Sequence, residues 1–144
     1  MTSVKAQEFE SVGGTEMIQK VSKIFYDKVY QDAWLKLYFE AIPQEHIERQ
    51  QVAFMQAALG GENLYCGQTP PAAHKHMYIS EALFLQRQLL LDQAFKECNA
   101  SSLLIEKWLK IDNAFFQRIV KSSPDECERR YKTDNILNFP KPQV

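Results

Sequence analysis

Residues 51–84 read QVAFMQAALGGENLYCGQTPPAAHKHMYISEALF, and the architecture of the chain follows from them. The opening letters have the apolar spacing of a helix. We expect that helix to end at the glycine pair 60–61, because paired glycines favour a tight change of direction. After a loop, the proline pair 70–71 suits the first turn of a short helix that carries His74. Ser80 then stands where the cap of a following long helix belongs.

Longer helices are predicted on both sides of this stretch, from apolar residues that recur every three or four positions. We expect them from a cap at Thr15 to about Tyr30, from about Gln44 to Leu59, from Ser80 through Phe95, and from a cap at Ser101 or Ser102 through Ile119. A short charged helix is expected to open at Ser123 and Pro124. No segment has the pattern of a strand pair, so the predicted fold class is all-α.

The length of the chain predicts one domain. Its 144 residues are enough to bury a single core, so we expect one domain over residues 1–144. Within it, residues 1–12 are expected to be an N-terminal extension and residues 122–144 a peripheral C-terminal extension. The charged segment Asp125–Lys132 is expected to be a solvated face, against the alternative of a membrane-surface or partner-binding role.

Charge and cysteine content exclude several classes of protein. Lys and Arg number 17 against 18 Asp and Glu, so no single-sign field favours nucleic acid or an anionic membrane. The three cysteines lack C-x-x-C spacing, which argues against a four-cysteine metal site and favours a reducing compartment. No signal peptide and no run of about 18 apolar residues is visible, so a cytoplasmic protein without a membrane span is predicted.

Four motifs follow one another along the chain. They are GGTEMIQKVSKIFYDKV from residue 13, DAWLKLYF from residue 32, QVAFMQAALGGENLYCG from residue 51 and AAHKHMYISEALF from residue 72. In this order and spacing the sequence resembles the truncated hemoglobins, and it is most similar to their first group. The resemblance covers about residues 13–119. It implies a single globin domain with a two-over-two helical sandwich around haem b (iron protoporphyrin IX).

The resemblance places the iron ligand at His74, the histidine of its A-H-x-x-hydrophobic-x-Ile pattern. Haem iron in a globin needs one neutral imidazole on its proximal side. His76 lies about 200° further around a helix and cannot easily take the same role. We expect His76 and Lys75 to face solvent, with Lys75 as a partner for a haem propionate.

The resemblance also implies a distal pair of hydrogen-bond donors for bound O2, Tyr26 and Gln51. Gln51 stands out in the sequence itself, because it is the polar member of an otherwise apolar helix face. The alternative is a glutamine that bonds backbone inside a plain helical core. Ile47 takes the distal position where many globins carry histidine, and it cannot donate. Neighbouring His46 points about 120° from the centre of that face, so we expect it at the surface.

An apolar envelope around the haem is expected from residues that would otherwise count as simple core. They are Phe39, which should stack on the porphyrin, and Ile47, Phe54, Met55, Met77, Ile79 and Phe84. Tyr65 is expected to reach a propionate. Arg87 departs from the family pattern, which has a bulky apolar residue there. Two interpretations stay open: Arg87 extends toward a propionate, or the local alignment is shifted by one helical turn.

The implied function is the binding of O2, and also of NO and CO, at a five-coordinate haem iron, with oxygen delivery as the role. One alternative is detoxification as an NO dioxygenase, with a peroxidase-like side activity. That reaction would need a separate reductase as partner, because the chain carries no flavin or nicotinamide motif. Another alternative is a haem-free helical interaction module. Neither nucleic acid nor membrane is expected as a partner.

Overall fold

The computed structural model describes residues 4–142, and the regular structure in that range is helical. The α-helices are α1 Val4–Ser11, α2 Gly14–Val29, α3 Gln44–Ala58, α4 Pro70–His74, α5 Glu81–Glu97, α6 Ser102–Ala114 and α7 Phe116–Ile119. Two 3₁₀ turns cover Leu35–Tyr38 and Pro124–Glu126. Between residues 4 and 142, strand-like pairing is limited to one isolated bridge from Met77 to Leu137. The predicted all-α class is confirmed.

Helix α2 is the centre of the fold. It packs against both α3 and α5, and α1 lies against it as well. Its buried apolar face includes Ile18, Val21, Phe25 and Val29, each at most 1% exposed. Burial of a side chain of this kind contributes roughly 1.5–3 kcal/mol to stability. The bundle is therefore built around the helix whose sequence has the clearest apolar arc.

Serine caps begin two of the helices as predicted. The Ser80 hydroxyl accepts a hydrogen bond from the Leu83 amide, and the Ser101 hydroxyl accepts one from the Leu104 amide. Each cap satisfies an amide that has no partner inside its helix. The cap of α6 is Ser101, and Ser102 is the first residue of the helix.

The predicted cap at Thr15 is wrong. Helix α2 begins one residue earlier, at Gly14, after Gly13 with a φ of 111°. Only glycine adopts that angle without strain. Thr15 lies in the first turn, and its hydroxyl donates instead to the Gln56 side chain of α3, at 2.7 Å. The threonine therefore joins two helices.

The N-terminal extension is a helix that docks on the body of the domain. Phe9 of α1 is 5% exposed, and Glu8 pairs with Lys107 of α6 at 2.7 Å. The glycine pair 60–61 makes room for this helix. A Cβ on Gly60 would lie 2.6 Å from the Lys5 side chain, and one on Gly61 would lie 2.7 Å from the Phe9 ring. This pair is therefore needed for close packing as well as for the turn.

The C-terminal extension is tied to the body of the domain by hydrogen bonds. Its main chain pairs with the segment after α4, since Leu137 bonds to the carbonyl of His76 and to the amide of Tyr78 at 2.9 and 2.7 Å. Further along, the carbonyl of Phe139 accepts from the Trp34 indole at 2.8 Å. Of the charged helix expected at Ser123 only the 3₁₀ turn Pro124–Glu126 forms.

His76 is buried under this extension, so its predicted solvent-facing position is wrong. It is 4% exposed. Most of residues 125–132 are exposed, as predicted for that segment, but Arg130 is partly buried and binds Asp134 at 2.9 Å. Within residues 4–142, no helix is both long and apolar enough to cross a bilayer.

Candidate functional site

A cavity of about 650 Å³ lies between the helices. Its size falls within the range of ligand pockets, and its walls are mainly apolar and aromatic. Lys75 does not line it, and its pairing with a haem propionate stays a prediction. The other predicted site residues all line it: Tyr26, Phe39, Ile47, Gln51, Phe54, Met55, Tyr65, His74, Met77, Ile79 and Phe84.

His74 ends the short helix α4 and is held in one tautomer. Its Nδ1 lies 2.6 Å from the carbonyl oxygen of Pro70. A carbonyl can only accept, so Nδ1 carries the proton and Nε2 keeps its lone pair. Burial lowers the pKa of His74 to about 4, against the weaker opposite effect of the Pro70 bond. The ring is thus a neutral imidazole with one nitrogen free to coordinate a metal.

Lys121 anchors the segment that follows His74, a contact that the sequence analysis missed. Its ammonium donates to the carbonyls of His74 and Met77 at 3.1 and 2.8 Å. Its amide donates to the carbonyl of Ile79. A cation suits this position, because the last carbonyls of a helix have no partner inside it. Lys121 therefore fixes the end of the helix that presents the imidazole.

The buried imidazole gives the apoprotein a pH-dependent stability. The unfolded chain protonates His74 near pH 6.5, and the folded chain does so only near pH 4. Stability is therefore fully present above pH 6.5 and is lost as the pH falls toward 4, by up to about 3 kcal/mol. Urea unfolding at pH 7 and pH 4 should show a smaller loss in His74→Gln than in the natural chain. Equal losses in the two proteins would contradict the assignment.

Tyr26 of α2 brings an uncommitted hydroxyl to the cavity. The side chain is 6% exposed and packs edge-on against Phe25 and Phe39. Its hydroxyl makes no hydrogen bond to any residue between 4 and 142. Burial raises the pKa of Tyr26 to about 12, so the phenol keeps its proton at neutral pH. It is a donor held ready for a ligand.

Helix α3 contributes two amides to the same cavity. Gln51 lines it as predicted, and Gln50 lines it as well, which the sequence analysis missed. Neither amide bonds to another side chain or to the main chain in the described part of the protein, so the alternative of a core glutamine is not supported for Gln51. His46 is exposed, as expected, but it stands at the cavity rim one turn before Gln50. The spacing of four residues places the two side chains on one face.

The loop between α3 and α4 closes another part of the wall. The Tyr65 hydroxyl donates to the carbonyl of Gln68, and its ring stacks edge-on to Phe54 at 5.3 Å. A Cβ on Gly67 would lie 2.6 Å from that hydroxyl, so glycine is required there. Arg130 of the C-terminal extension also lines the cavity. The sequence analysis missed that contribution because it treated the extension as peripheral.

Arg87 lines the cavity, and it is not at the outer surface. Its Nη1 pairs with Asp112 of α6 at 2.8 Å. Its guanidinium carbon lies 5.3 Å from the centre of the Phe25 ring and 5.6 Å from that of Phe84. The cavity wall thus holds the Arg87–Asp112 pair and, from the C-terminal extension, Arg130, while its other lining residues are apolar or neutral at pH 7.

The fold and the cavity together define a haem-binding globin, because a helical bundle presents the neutral imidazole of His74, with an unprotonated Nε2, among aromatic walls. The chain belongs to the bacterial-like globin family, whose model matches residues 7–121. Members of that family bind haem. The residues present fit haem, since Nε2 of His74 is free to coordinate iron and the cavity walls are mainly apolar and aromatic.

Individual relatives agree with this family. The chain is 33% identical over 103 residues to a group 1 truncated hemoglobin of Tetrahymena thermophila, which covers 72% of this chain and 85% of that protein. It is 31% identical over 75 residues to one of Synechocystis, covering 52% of this chain and 60% of that protein. These matches confirm the predicted resemblance to the truncated hemoglobins.

Solved structures agree in fold. The Fe(III) form of truncated hemoglobin from Tetrahymena pyriformis matches with a TM-score of 0.72 and 26% identity, over 79% of this chain and 97% of that one. The 2/2 hemoglobin of Synechococcus, solved with covalently attached heme, matches with a TM-score of 0.69 and 24% identity, over 77% and 93%. The two-over-two globin fold is confirmed.

Proposed function

We propose that this chain binds haem b through Nε2 of His74 and takes up O2, and also NO and CO, for oxygen binding and delivery. The observation that carries the proposal is the Nδ1 bond of His74 to Pro70 at 2.6 Å. That bond fixes the tautomer in which Nε2 is the free nitrogen, and a hydrogen bond of this kind also orients a metal-ligating histidine. Lys121 holds the same turn from its carbonyl side.

When bound, haem supplies an iron with an open position for a diatomic gas. The protein contributes the surroundings of that position. Tyr26 and Gln51 offer neutral donors in a largely apolar cavity, where a hydrogen bond to a ligand with partial negative charge is stronger than in water. Ile47 cannot donate, so these two residues carry the polar contact. O2 gains more from such donors than CO does, because it draws more electron density onto itself.

The apolar envelope has a separate role in the proposal. Phe39 lies beside Tyr26, with ring centres 6.1 Å apart, and Phe84 packs edge-on against Phe116 at 5.1 Å. Closely packed rings of this kind leave little room for water. Exclusion of water protects the reduced iron from oxidation.

Titration of the purified apoprotein with hemin tests the proposal. We expect a Soret band that saturates at one hemin per chain, and a shift of that band when the reduced protein meets CO. The variant His46→Ala should behave in the same way, because His46 stands on the exposed rim. A protein that stays colourless with hemin would overturn the proposal.

A further inference from the structure

The charged pair in the cavity wall is the feature that the proposed function leaves unexplained. Arg87 and Asp112 both line the cavity, and their side chains are 26% and 10% exposed. A charge in a largely apolar wall costs free energy unless it is paired, and here the pairing comes from α6. An apolar residue would close the same wall at lower cost. The position therefore points to a ligand that uses the charge.

Arg87 retains donors that its partner does not occupy. Both oxygens of Asp112 accept from Nη1 of Arg87, and one of them also accepts from the Gln88 side chain at 3.1 Å. The Nε and Nη2 groups of Arg87 have no partner among residues 4–142. A guanidinium carries three N–H bonds on those two nitrogens. Asp112 thus fixes the orientation of Arg87 and leaves these three N–H groups available to a ligand.

The guanidinium stands close to the groups that serve the ligand. It lies over the ring of Phe25, which precedes Tyr26 in α2. Arg87, Tyr26 and His74 all line the same cavity. A molecule held between Tyr26 and His74 would therefore feel the charge of the guanidinium.

We propose that Arg87, anchored by Asp112, raises the affinity of this cavity for small inorganic monoanions, with nitrite as the test case. The inference rests on the proposed function, because the anion would share the haem cavity with the gases. Arg87 attracts the negative charge, and Tyr26 and Gln51 add neutral hydrogen bonds. The Arg87 charge favours an anion over an uncharged gas, because a neutral molecule gains little binding energy from a positive charge.

Equilibrium titration of the ferric holoprotein with nitrite and with azide tests the proposal, read from the shift of the Soret band. Arg87→Leu should weaken both anions by about tenfold or more, because a charge-assisted contact is lost. CO affinity of the ferrous form should change by less than about threefold. The double variant Arg87→Leu/Asp112→Leu avoids leaving Asp112 unpaired if the single variant folds poorly, and it should still bind both anions more weakly than the natural chain.

Two further variants sharpen the result. Asp112→Asn keeps Arg87 and removes the compensating charge, so nitrite should bind more tightly than to the natural chain. Arg118→Leu is the matched control, because Arg118 is exposed on α7 and does not line the cavity. It should leave both affinities unchanged.

The outcomes separate this inference from the proposed function. A natural chain that takes up no hemin overturns the proposed function. A haem-loaded chain whose nitrite and azide affinities are unaffected by Arg87→Leu overturns the anion site alone. Faster haem loss from Arg87→Leu with unchanged anion affinity also overturns it, because Arg87 would then serve a carboxylate of the cofactor.

Discussion

His74→Gly should abolish normal haem ligation, with the affinity for hemin falling by more than about 100-fold. The variant removes the imidazole whose Nε2 is left free by the bond to Pro70. It also leaves a space in the cavity wall that a free imidazole molecule can enter. Added imidazole should therefore restore a Soret band like that of the natural protein. Absorption spectra of hemin titrations with and without imidazole measure both effects.

The matched control is the same substitution at the exposed histidine, His46→Gly. It should leave the hemin titration unchanged, since that side chain stands at the rim. His76→Gly is a poorer control, because His76 is 4% exposed and its loss would disturb the packing under the C-terminal extension. An unaltered spectrum in His74→Gly would show that another group holds the iron.

The helices around His74 were predictable because their determinants are local, whereas the assignment of His74 as iron ligand came from the resemblance to the truncated hemoglobins. The proline pair, His74 and the Ser80 cap lie within eleven residues of one another, and helix geometry relates them directly. The same holds for Gln51, whose place on the apolar face of α3 follows from a spacing of 100° per residue. Helical periodicity was therefore enough to predict that this amide lies on the face of α3 that meets the cavity.

The C-terminal extension was not predictable, because its partners are distant in sequence. Leu137 pairs with residues 76 and 78, and Phe139 meets Trp34 across 105 positions. Its exposed charges match those of a solvated tail. Since no periodic pattern marks a segment of irregular backbone, its docking depends on contacts that only the folded bundle supplies. The burial of His76 is a consequence of that docking.

Arg87 was the residue for which sequence reasoning left two interpretations. Its helix, α5, has apolar residues on several sides, so the pattern does not define which face meets the cavity. Asp112 lies 25 positions further on, beyond the range of any helical pairing rule. The sequence alone does not show whether such a charged pair lies inside a cavity or on the surface. Only the packing of α5 on α6 separates them.

Tyr26→Phe should speed the release of O2 by roughly tenfold to a hundredfold, the equivalent of about 1–3 kcal/mol for a buried hydrogen bond. The physical reason is that the phenol keeps its proton, with a pKa of about 12, and has no hydrogen-bond partner among residues 4–142. Its bonding capacity is therefore available to the ligand. CO release should change far less, because CO accepts hydrogen bonds weakly. Stopped-flow displacement of each gas from the ferrous protein measures the two rates.

Tyr30→Phe provides the matched control one helical turn away. The Tyr30 hydroxyl donates to the carbonyl of Ile42 at 2.8 Å, and the residue does not line the cavity. Its loss should lower stability by about 1 kcal/mol and leave O2 release unchanged. Tyr26→Phe should instead speed O2 release and leave stability nearly unchanged, because the Tyr26 hydroxyl has no hydrogen-bond partner among residues 4–142. If the O2 release rate of Tyr26→Phe stayed within about twofold of the natural protein, Tyr26 would be a packing residue and Gln51 the principal donor.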